Sequence, residues 1–386
     1  MSCLALVYTD SLSLRFLKGQ CEFWKQNKYE VHVFCANSDI LQDFGITNDV
    51  MTWGLSFSRH PTAIRQHLKS VYELTCFFKK IRPTIVHANT PIAAFLAMIA
   101  AQNAKVPIRI YEMHGLPLEP ASFPAKEIYF SAEKISCLLA NHVITVSQSL
   151  RDLVIQKKIV APTKVSVMHH GSCNGIDTAV EFNPALIDNT TILTLKNELF
   201  GNISGPVVGF VGRLSPEKGI QELYQAWMIV ERHFPSAKLL IVGSLDSRQS
   251  ISPYLQTLLK TTSSIVWVEW KQDVAYYFSL IDFLVLPSHR EGLGNVVLEA
   301  AAMKKPAVVS NVTGLKDAVV ENQTGIFFKK GSVDELAAQM IFYLQNKHIV
   351  ETHGHAAQAR VKTFFSPTDV WTSKLALYRR LEHEMK

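Results

Sequence analysis

The 386-residue sequence is short of several features that would point straight to a chemistry. It has no GxxxxGKS/T loop and no GxGxxG fingerprint, so neither a Walker-type phosphate loop nor a dinucleotide turn is expected. It has no Asp-x-Asp, and the pairs His169/His170 and His353/His355 lack nearby ligand partners. No metal or other cofactor is therefore expected, and those histidines read as loop and surface residues, the second pair near a helix end. Cysteine is scarce: Cys3, Cys21, Cys35, Cys76, Cys137 and Cys173 all fall in the N-terminal half without the paired spacing of zinc or redox sites, and read as reduced, mostly buried thiols. The apolar run Ile92 to Ala101 is too short to span a bilayer and fits a buried helix. No basic leader with an apolar run and a small-residue cleavage site precedes the strand-like "CLALVYT", so the expected location is cytoplasmic. Low-complexity tracts are also missing, and 48% hydrophobic against 19% charged residues describes a folded globular protein.

What is present begins with positive charge. The formal net charge is +6, and Arg59, Arg65, Lys69, Lys79, Lys80 and Arg82 gather in one stretch with His60 and His67. Such a patch attracts an anionic neighbour. Nucleic acid is not expected, because interleaved stacking aromatics and nucleic-acid motifs are lacking. A helix over residues 62–81 could rest its basic positions on anionic headgroups while Leu68, Val71, Leu74 and Phe78 face inward or toward lipid. A solvated helix face accounts for the same residues, and both readings stand.

The length favours two domains over one. In the N-terminal half the β-rich runs "LALVYT", "EVHVFCA", "TIVHAN", "IRIYEMHG", "HVITVS" and "KVSVMHHG" alternate with helical patterns, which implies parallel βαβ units. Periodicity weakens after "NGID" and resumes past Pro206 with "VVGFVG", "KLLIVG", "IVWVEW", "FLVLPS", "PAVVS" and "GIFF". The expectation is two Rossmann-like, doubly wound α/β domains facing across a cleft: residues 1–178 on the acceptor side, 179–199 as a linker region, and 200–365 binding the donor. Residues 366–386 form a helix with a partial apolar stripe, Val370, Leu375, Leu377, Tyr378 and Leu381, expected to pack back on the first domain.

Two segments could carry chemistry. "DFLVLPSHREGLGNVVLEAAAM" reads as a buried strand over Phe283–Leu286, a turn with Gly292 and Gly294, and a helix from Val296 to Met303 with Asn295 as its N-cap. Main chain there can approach a ligand closely, and the helix start offers N–H groups to phosphate oxygens. Glu291 and Glu299 are placed to accept hydrogen bonds from two hydroxyl-bearing groups flanking a diphosphate. By themselves they could equally be a surface glutamate and a helix salt bridge. "GFVGRLSPEKGI" leaves a second strand carrying Arg213 and Lys218, two cations able to neutralise a diphosphate leaving group, or ordinary surface cations at a helix start.

"GRLSPEKG", followed about 80 residues later by "REGLGNVVLEAAAMKKPAVVSNVTG", resembles the retaining glycosyltransferases of family 4, which have the GT-B fold. The resemblance extends over "SLSLRFLKGQ", "RPTIVHANTP", "HGLP", "ITVSQSLRD", "NGID" and "VTGLKDAVVENQTG", and Glu291 with Glu299 matches the family's Glu-x7-Glu pair. It implies that Gly212, Arg213 and Lys218 meet the donor diphosphate, Glu291 the sugar hydroxyls and Glu299 the ribose. The main chain of Gly292, Leu293, Gly294, Asn295 and Val296 would hold phosphates and sugar, and His114 would reach the sugar near the reaction centre. Related enzymes often have glycines where this chain has "TDSLSL", so Ser11 and Ser13 are placed on the acceptor side with less support from the motif.

The function this implies is retaining transfer of a sugar to a glycan acceptor, with a UDP-hexose or UDP-N-acetylhexosamine as the favoured donor and a GDP-sugar as the open alternative. A lipid-linked oligosaccharide in O-antigen or capsule assembly fits the wider pattern and the basic patch, and implies a peripheral protein on the cytoplasmic membrane face. A nucleotide-sugar epimerase and a noncatalytic sugar-nucleotide binding protein are the alternatives, since fold does not fix reaction.

Overall fold

The short runs rich in valine and isoleucine become strands buried on both faces, as parallel sheets covered by helices require. The computed structural model describes residues 2–58, 63–116, 125–201, 205–246, 249–271 and 273–385. Two compact units emerge, one of Met1–Gly175 with Pro367–Lys386 and one of Ile176–Ser366. Residues 179–199 fall in the second unit, and Asn189–Phe200 is helical there, capped by the Asp188 side chain.

Among the described residues the first unit holds a seven-stranded parallel sheet: β1 (Ser2–Val7), β2 (Tyr29–Ala36), β3 (Met51–Leu55), β4 (Ile85–Asn89), β5 (Ile108–Met113), β6 (His142–Thr145) and β7 (Val165–Val167), in the order β3-β2-β1-β4-β5-β6-β7. The interior strand β1 sets Leu4 beside Val31 of β2 and Ile85 of β4. One strand, β3, has no counterpart among the runs read from the sequence. It is an edge strand with only Leu55 buried, so burial left no apolar pattern on it.

The helix Pro367–His383 belongs to this unit and buries Val370, Lys374, Leu375, Leu377, Tyr378 and Leu381. Tyr378 stacks on Trp24 with ring centroids 4.9 Å apart, within a core that also holds Leu4, Leu6, Val31, Val33 and Ile110. Truncating either ring to alanine would cost about 3–5 kcal/mol. The helix Pro91–Asn103 is buried through Ala93, Ala94, Leu96, Ala97, Met98, Ala100 and Ala101. Among the described residues no helix is long and apolar enough to cross a membrane. The six cysteines are thiols, Cys76 exposed and the other five buried. Burial pushes Cys21 and Cys35 up to about 12, so neither offers a thiolate nucleophile at neutral pH.

Among the described residues the second unit has six parallel strands: β8 (Val207–Val211), β9 (Lys238–Val242), β10 (Ile265–Val268), β11 (Phe283–Leu286), β12 (Ala307–Ser310) and β13 (Gly325–Phe328). Their order, β10-β9-β8-β11-β12-β13, runs one way from β8 and then the other. Connections therefore leave the adjacent strands β8 and β11 in opposite directions, which opens a crevice at their carboxyl ends.

His353 corrects one expectation. The helix Lys347–Phe364 continues well past it, and His353 is buried, with Nδ1 2.9 Å from the Tyr343 hydroxyl, while His355 is exposed. The helical period puts residues two apart on different faces, so the pair divides between core and solvent.

Candidate active site

Two loops line the crevice of the second unit. The first runs from Gly212 to Gly219, through a single 3-10 turn at Pro216–Lys218, into the helix Ile220–His233. The second runs from Pro287 to Gly294 into the helix Asn295–Ala302. They touch through Gly219, whose φ is 69° and whose added Cβ would lie 2.2 Å from the Pro287 carbonyl oxygen. Any side chain there would push the loops apart.

The expected N-cap Asn295 is instead the first helical residue, and Gly294 caps the helix at φ 79°. A Cβ on Gly294 would approach Leu315 Cδ2 to 2.6 Å, so close packing and left-handed backbone together require glycine. The N–H groups at this helix start are of the kind that can receive the oxygens of an anion.

The structure brings Lys218 and Glu291 together: the ammonium forms an ion pair with Glu291 Oε1, and the Ser288 hydroxyl donates to the same oxygen at 2.7 Å. Both charged side chains are largely buried, at 16% and 13% exposure, so their attraction is less screened than at the surface. Ser288 is fully buried, and its carbonyl accepts from the Ser310 hydroxyl at the end of β12. Glu299 stands on the fifth residue of the helix Asn295–Ala302 and is half-buried, as are Gly292, Asn295 and Val296, while Leu293 and Gly294 are buried.

Arg213 pairs with Asp246, on the loop after β9, and with Glu217 at 3.1 Å. Arg290 binds Glu217 at 2.7 Å through Nη2 and at 3.1 Å through Nε. Burial pushes the Glu217 carboxyl up, and the guanidiniums of Arg290 and Arg213 with the Lys218 ammonium outweigh it, holding it below its ordinary value. Asp246, Glu217, Ser288 and Arg290 were not singled out from the sequence. Glu217 and Arg290 each adjoin a residue that was; Asp246 lies 33 residues from Arg213, with no spacing that signals the contact.

His114, Ser11 and Ser13 belong to the first unit. His114 follows β5, half-buried, with Phe16 edge-on at 5.5 Å between ring centres. Its Nε2 lies 3.1 Å from Asn89 Oδ1, and Asn89 Nδ2 points to the His87 carbonyl at 3.5 Å. Asn89 thus presents an acceptor, so Nε2 carries the hydrogen and Nδ1 keeps its lone pair for a hydroxyl donor. Burial, aided by Lys374 and His87 against Glu112, pushes His114 down to about 4, so it is neutral at physiological pH. Ser11 and Ser13 are half-buried in the 3-10 turn Ser11–Leu17, and the Ser13 hydroxyl reaches Asp10 Oδ2 at 3.4 Å.

Among the described residues, one trio, Cys3, Glu30 and His32, places ligand-type atoms within 4.8 Å of one another. Trp53 Nε1 donates to His32 Nδ1 at 3.0 Å, so Nε2 bears the hydrogen and faces Glu30 Oε1 at 3.1 Å. A cation on Nε2 would have to displace that proton while Nδ1 still accepted from Trp53, so the trio does not fit a metal as built.

In the basic stretch, the helix Ile64–Ile81 buries Ser70, Leu74 and Phe78 and exposes Arg65, Lys69, Lys79 and Lys80, with Arg82 exposed just beyond. Leu68 is exposed together with Ile64 and Tyr72, while Val71 and His67 are half-buried. Arg59 and His60 lie outside the described residues.

A family model described as Glycosyltransferase Family 4 matches residues 15–179, and one described as Glycosyl transferases group 1 matches residues 195–360. The capsular polysaccharide biosynthesis glycosyltransferase CapM of Staphylococcus aureus is 30% identical over 370 residues, 96% of this chain and 95% of that protein. An Escherichia coli protein, UDP-Gal:alpha-D-GlcNAc-diphosphoundecaprenol alpha-1,3-galactosyltransferase, is 24% identical over 84% of this chain and 83% of its own. HepE of Anabaena in complex with UDP-glucose superposes with a TM-score of 0.78 at 19% identity, over 100% of this chain and 99% of that one. That likeness concerns the fold, and with the two parallel sheets it is the GT-B fold.

Proposed function

The chain belongs to glycosyltransferase family 4 and uses a nucleotide-sugar donor, and from that premise we propose that it transfers a hexose or N-acetylhexosamine from a UDP-sugar, with retention, to a lipid-linked oligosaccharide in O-antigen or capsule assembly. The observation that carries this reading is the Lys218–Glu291–Ser288 cluster beside a helix N-terminus, at the point where the strand order reverses between β8 and β11.

Each residue has a role in the proposal. Lys218, Arg213 and the main chain from Gly292 to Val296, with Gly212, receive the diphosphate; Glu291 accepts from sugar hydroxyls; Glu299 accepts from the ribose. His114 accepts a sugar hydroxyl at Nδ1, and Ser11 and Ser13 serve the acceptor side. The bond from the anomeric carbon to the diphosphate oxygen breaks as a bond to the acceptor oxygen forms on the same face. The departing phosphate oxygen takes the acceptor's proton. Lys218, Arg213 and the helix N–H groups stabilise the charge growing on that diphosphate.

Support for the substrates comes from the relatives. The Escherichia coli protein is named for a UDP-sugar and a diphosphoundecaprenol acceptor, and the Staphylococcus aureus protein for capsule synthesis. An undecaprenol-linked acceptor lies in a membrane. The exposed Ile64, Leu68 and Tyr72 among Arg65, Lys69, Lys79 and Lys80 support peripheral binding of the cytoplasmic membrane face, apolar side chains entering and cations meeting anionic headgroups.

The test is mass spectrometry of the protein incubated with a panel of UDP- and GDP-sugars, with and without polyprenyl-diphosphate sugar acceptors. A one-sugar gain on the acceptor that depends on one UDP-sugar is expected. Donor isomerisation without acceptor, or use of GDP-sugars alone, would overturn the reading.

A further inference from the structure

Two consecutive residues of one loop face two consecutive residues of the other across the crevice, with alternating polarity. Glu217 pairs with Arg290, and Lys218 pairs with Glu291, each pair spanning 73 residues of sequence. Above them the His289 amide donates to the Glu217 carbonyl at 2.8 Å, and His289 Nε2 lies 2.8 Å from Glu222 Oε1 in the helix Ile220–His233. The reversed polarity fixes the register: a one-residue slip would set Glu217 against Glu291 or Lys218 against Arg290, like charge on like charge.

The two pairs differ in how firmly they are built. Lys218 offers a point charge on a flexible stem, whereas Arg290 places two nitrogens of its planar fork on one oxygen of Glu217. The other oxygen of Glu217 holds Arg213, which also binds Asp246, so a chain of alternating charges joins the ends of β9, β8 and β11. If Lys218 swings away, Glu291 keeps its hydrogen bond from the Ser288 hydroxyl and so keeps its place.

A donor needs both members of the Lys218–Glu291 pair, the ammonium for its diphosphate and the carboxylate for its sugar, so the contact between them has to open when it arrives. We propose that the Glu217–Arg290 pair is a fixed staple that holds the two loops in register while the adjacent Lys218–Glu291 pair opens to the donor, which makes Glu217 and Arg290 positioning residues for transfer. The inference rests on the donor reading above. Neither residue touches the donor in this scheme; they act through the spacing of Lys218 and Glu291.

The experiment compares Arg290→Met, Glu217→Gln, the double variant and Arg290→Lys with the unaltered protein, reading UDP affinity by calorimetry and kcat and KM for the transferred sugar. Each single variant is expected to lose roughly tenfold to a hundredfold in kcat/KM, the scale of a small misplacement of reacting groups. UDP binding should weaken as well, with an unfolding midpoint close to that of the unaltered protein. The double variant should be no worse than the poorer single one, because both remove the same contact. Arg290→Lys, which keeps the charge and the fold but loses the fork, should recover part of the affinity. Unchanged UDP affinity and turnover in Arg290→Met, or losses that multiply in the double variant, would overturn the staple. If the unaltered protein binds no UDP, the donor reading fails instead, so the two failures are distinguishable.

Discussion

Lys374 and Glu112, 262 residues apart in the chain, form an ion pair of 2.6 Å with both side chains almost wholly buried. Lys374 also donates to the Cys173 carbonyl at 2.8 Å, and His87 Nε2 lies 3.0 Å from the shared Glu112 oxygen. Burial alone would push the Glu112 carboxyl up; Lys374 and His87 outweigh it and hold it down at about 2. The pair fastens the helix Pro367–His383 to β5, two residues before His114.

Breaking that pair from one side leaves a buried charge uncompensated. Lys374→Met is expected to cost about 3–5 kcal/mol in urea unfolding, and the double variant Lys374→Met with Glu112→Gln clearly less. Equal losses in the two proteins would show that the charge is not what matters there.

Glu291→Ala is expected to lower kcat roughly 10²- to 10³-fold while leaving the urea midpoint near that of the unaltered protein, the scale seen when one oriented polar group leaves a reaction centre. Lys218→Ala should lose turnover and weaken UDP binding together, since its charge faces the diphosphate in both states. Calorimetry with UDP separates the two variants; full turnover in either removes its assigned role.

Two buried groups make stability depend on pH in opposite directions. His142, 2.7 Å from the Ser166 hydroxyl, is pushed down to about 4 by burial, with Arg380 and Lys164 adding to it. Between 6.5 and 4 the unfolded chain therefore binds more protons at this site, and the folded state loses stability as pH falls through that window. Glu133 accepts from the Tyr111 hydroxyl at 2.8 Å and is pushed up to about 7 by burial. Between 4.5 and 7 the folded chain binds more protons there, so stability is lost as pH rises. Relative to the unaltered protein, His142→Gln should gain toward pH 4 and Glu133→Gln should gain toward pH 7, read from urea midpoints over that range. Parallel curves for all three proteins would contradict both assignments.

Replacing Arg65, Lys69, Lys79 and Lys80 together by glutamine should reduce sedimentation with vesicles containing anionic lipid, and the binding that is lost should be the salt-sensitive part. Identical sedimentation of the two proteins would return this helix face to simple solvation.

Much of the fold could be read because parallel strands buried on both faces write themselves as continuous apolar runs. β3 escaped because an edge strand with one buried residue leaves no such run. His353 was misplaced for a related reason: a histidine looks polar in sequence, and only the Tyr343 hydroxyl beside it explains how it can be buried. In the site, Lys218 and Glu291 were legible through their motifs, yet their direct contact was not, because a pair across 73 residues leaves no local spacing. The same holds more strongly for Lys374 and Glu112. Contacts made by topology become visible only when the strand order is known.

The first unit is built from two separated segments, Met1–Gly175 and Pro367–Lys386, whereas the second is one continuous segment between them. During synthesis most of the first unit is made early but cannot be finished: Trp24 waits for Tyr378, and Glu112 for Lys374, until the segment Pro367–Lys386 has left the ribosome. The whole of the second unit is synthesised before that segment. A chain truncated before Pro367 would keep every residue of the second unit but leave on the first an open apolar face around Trp24, the kind of surface that chaperones bind.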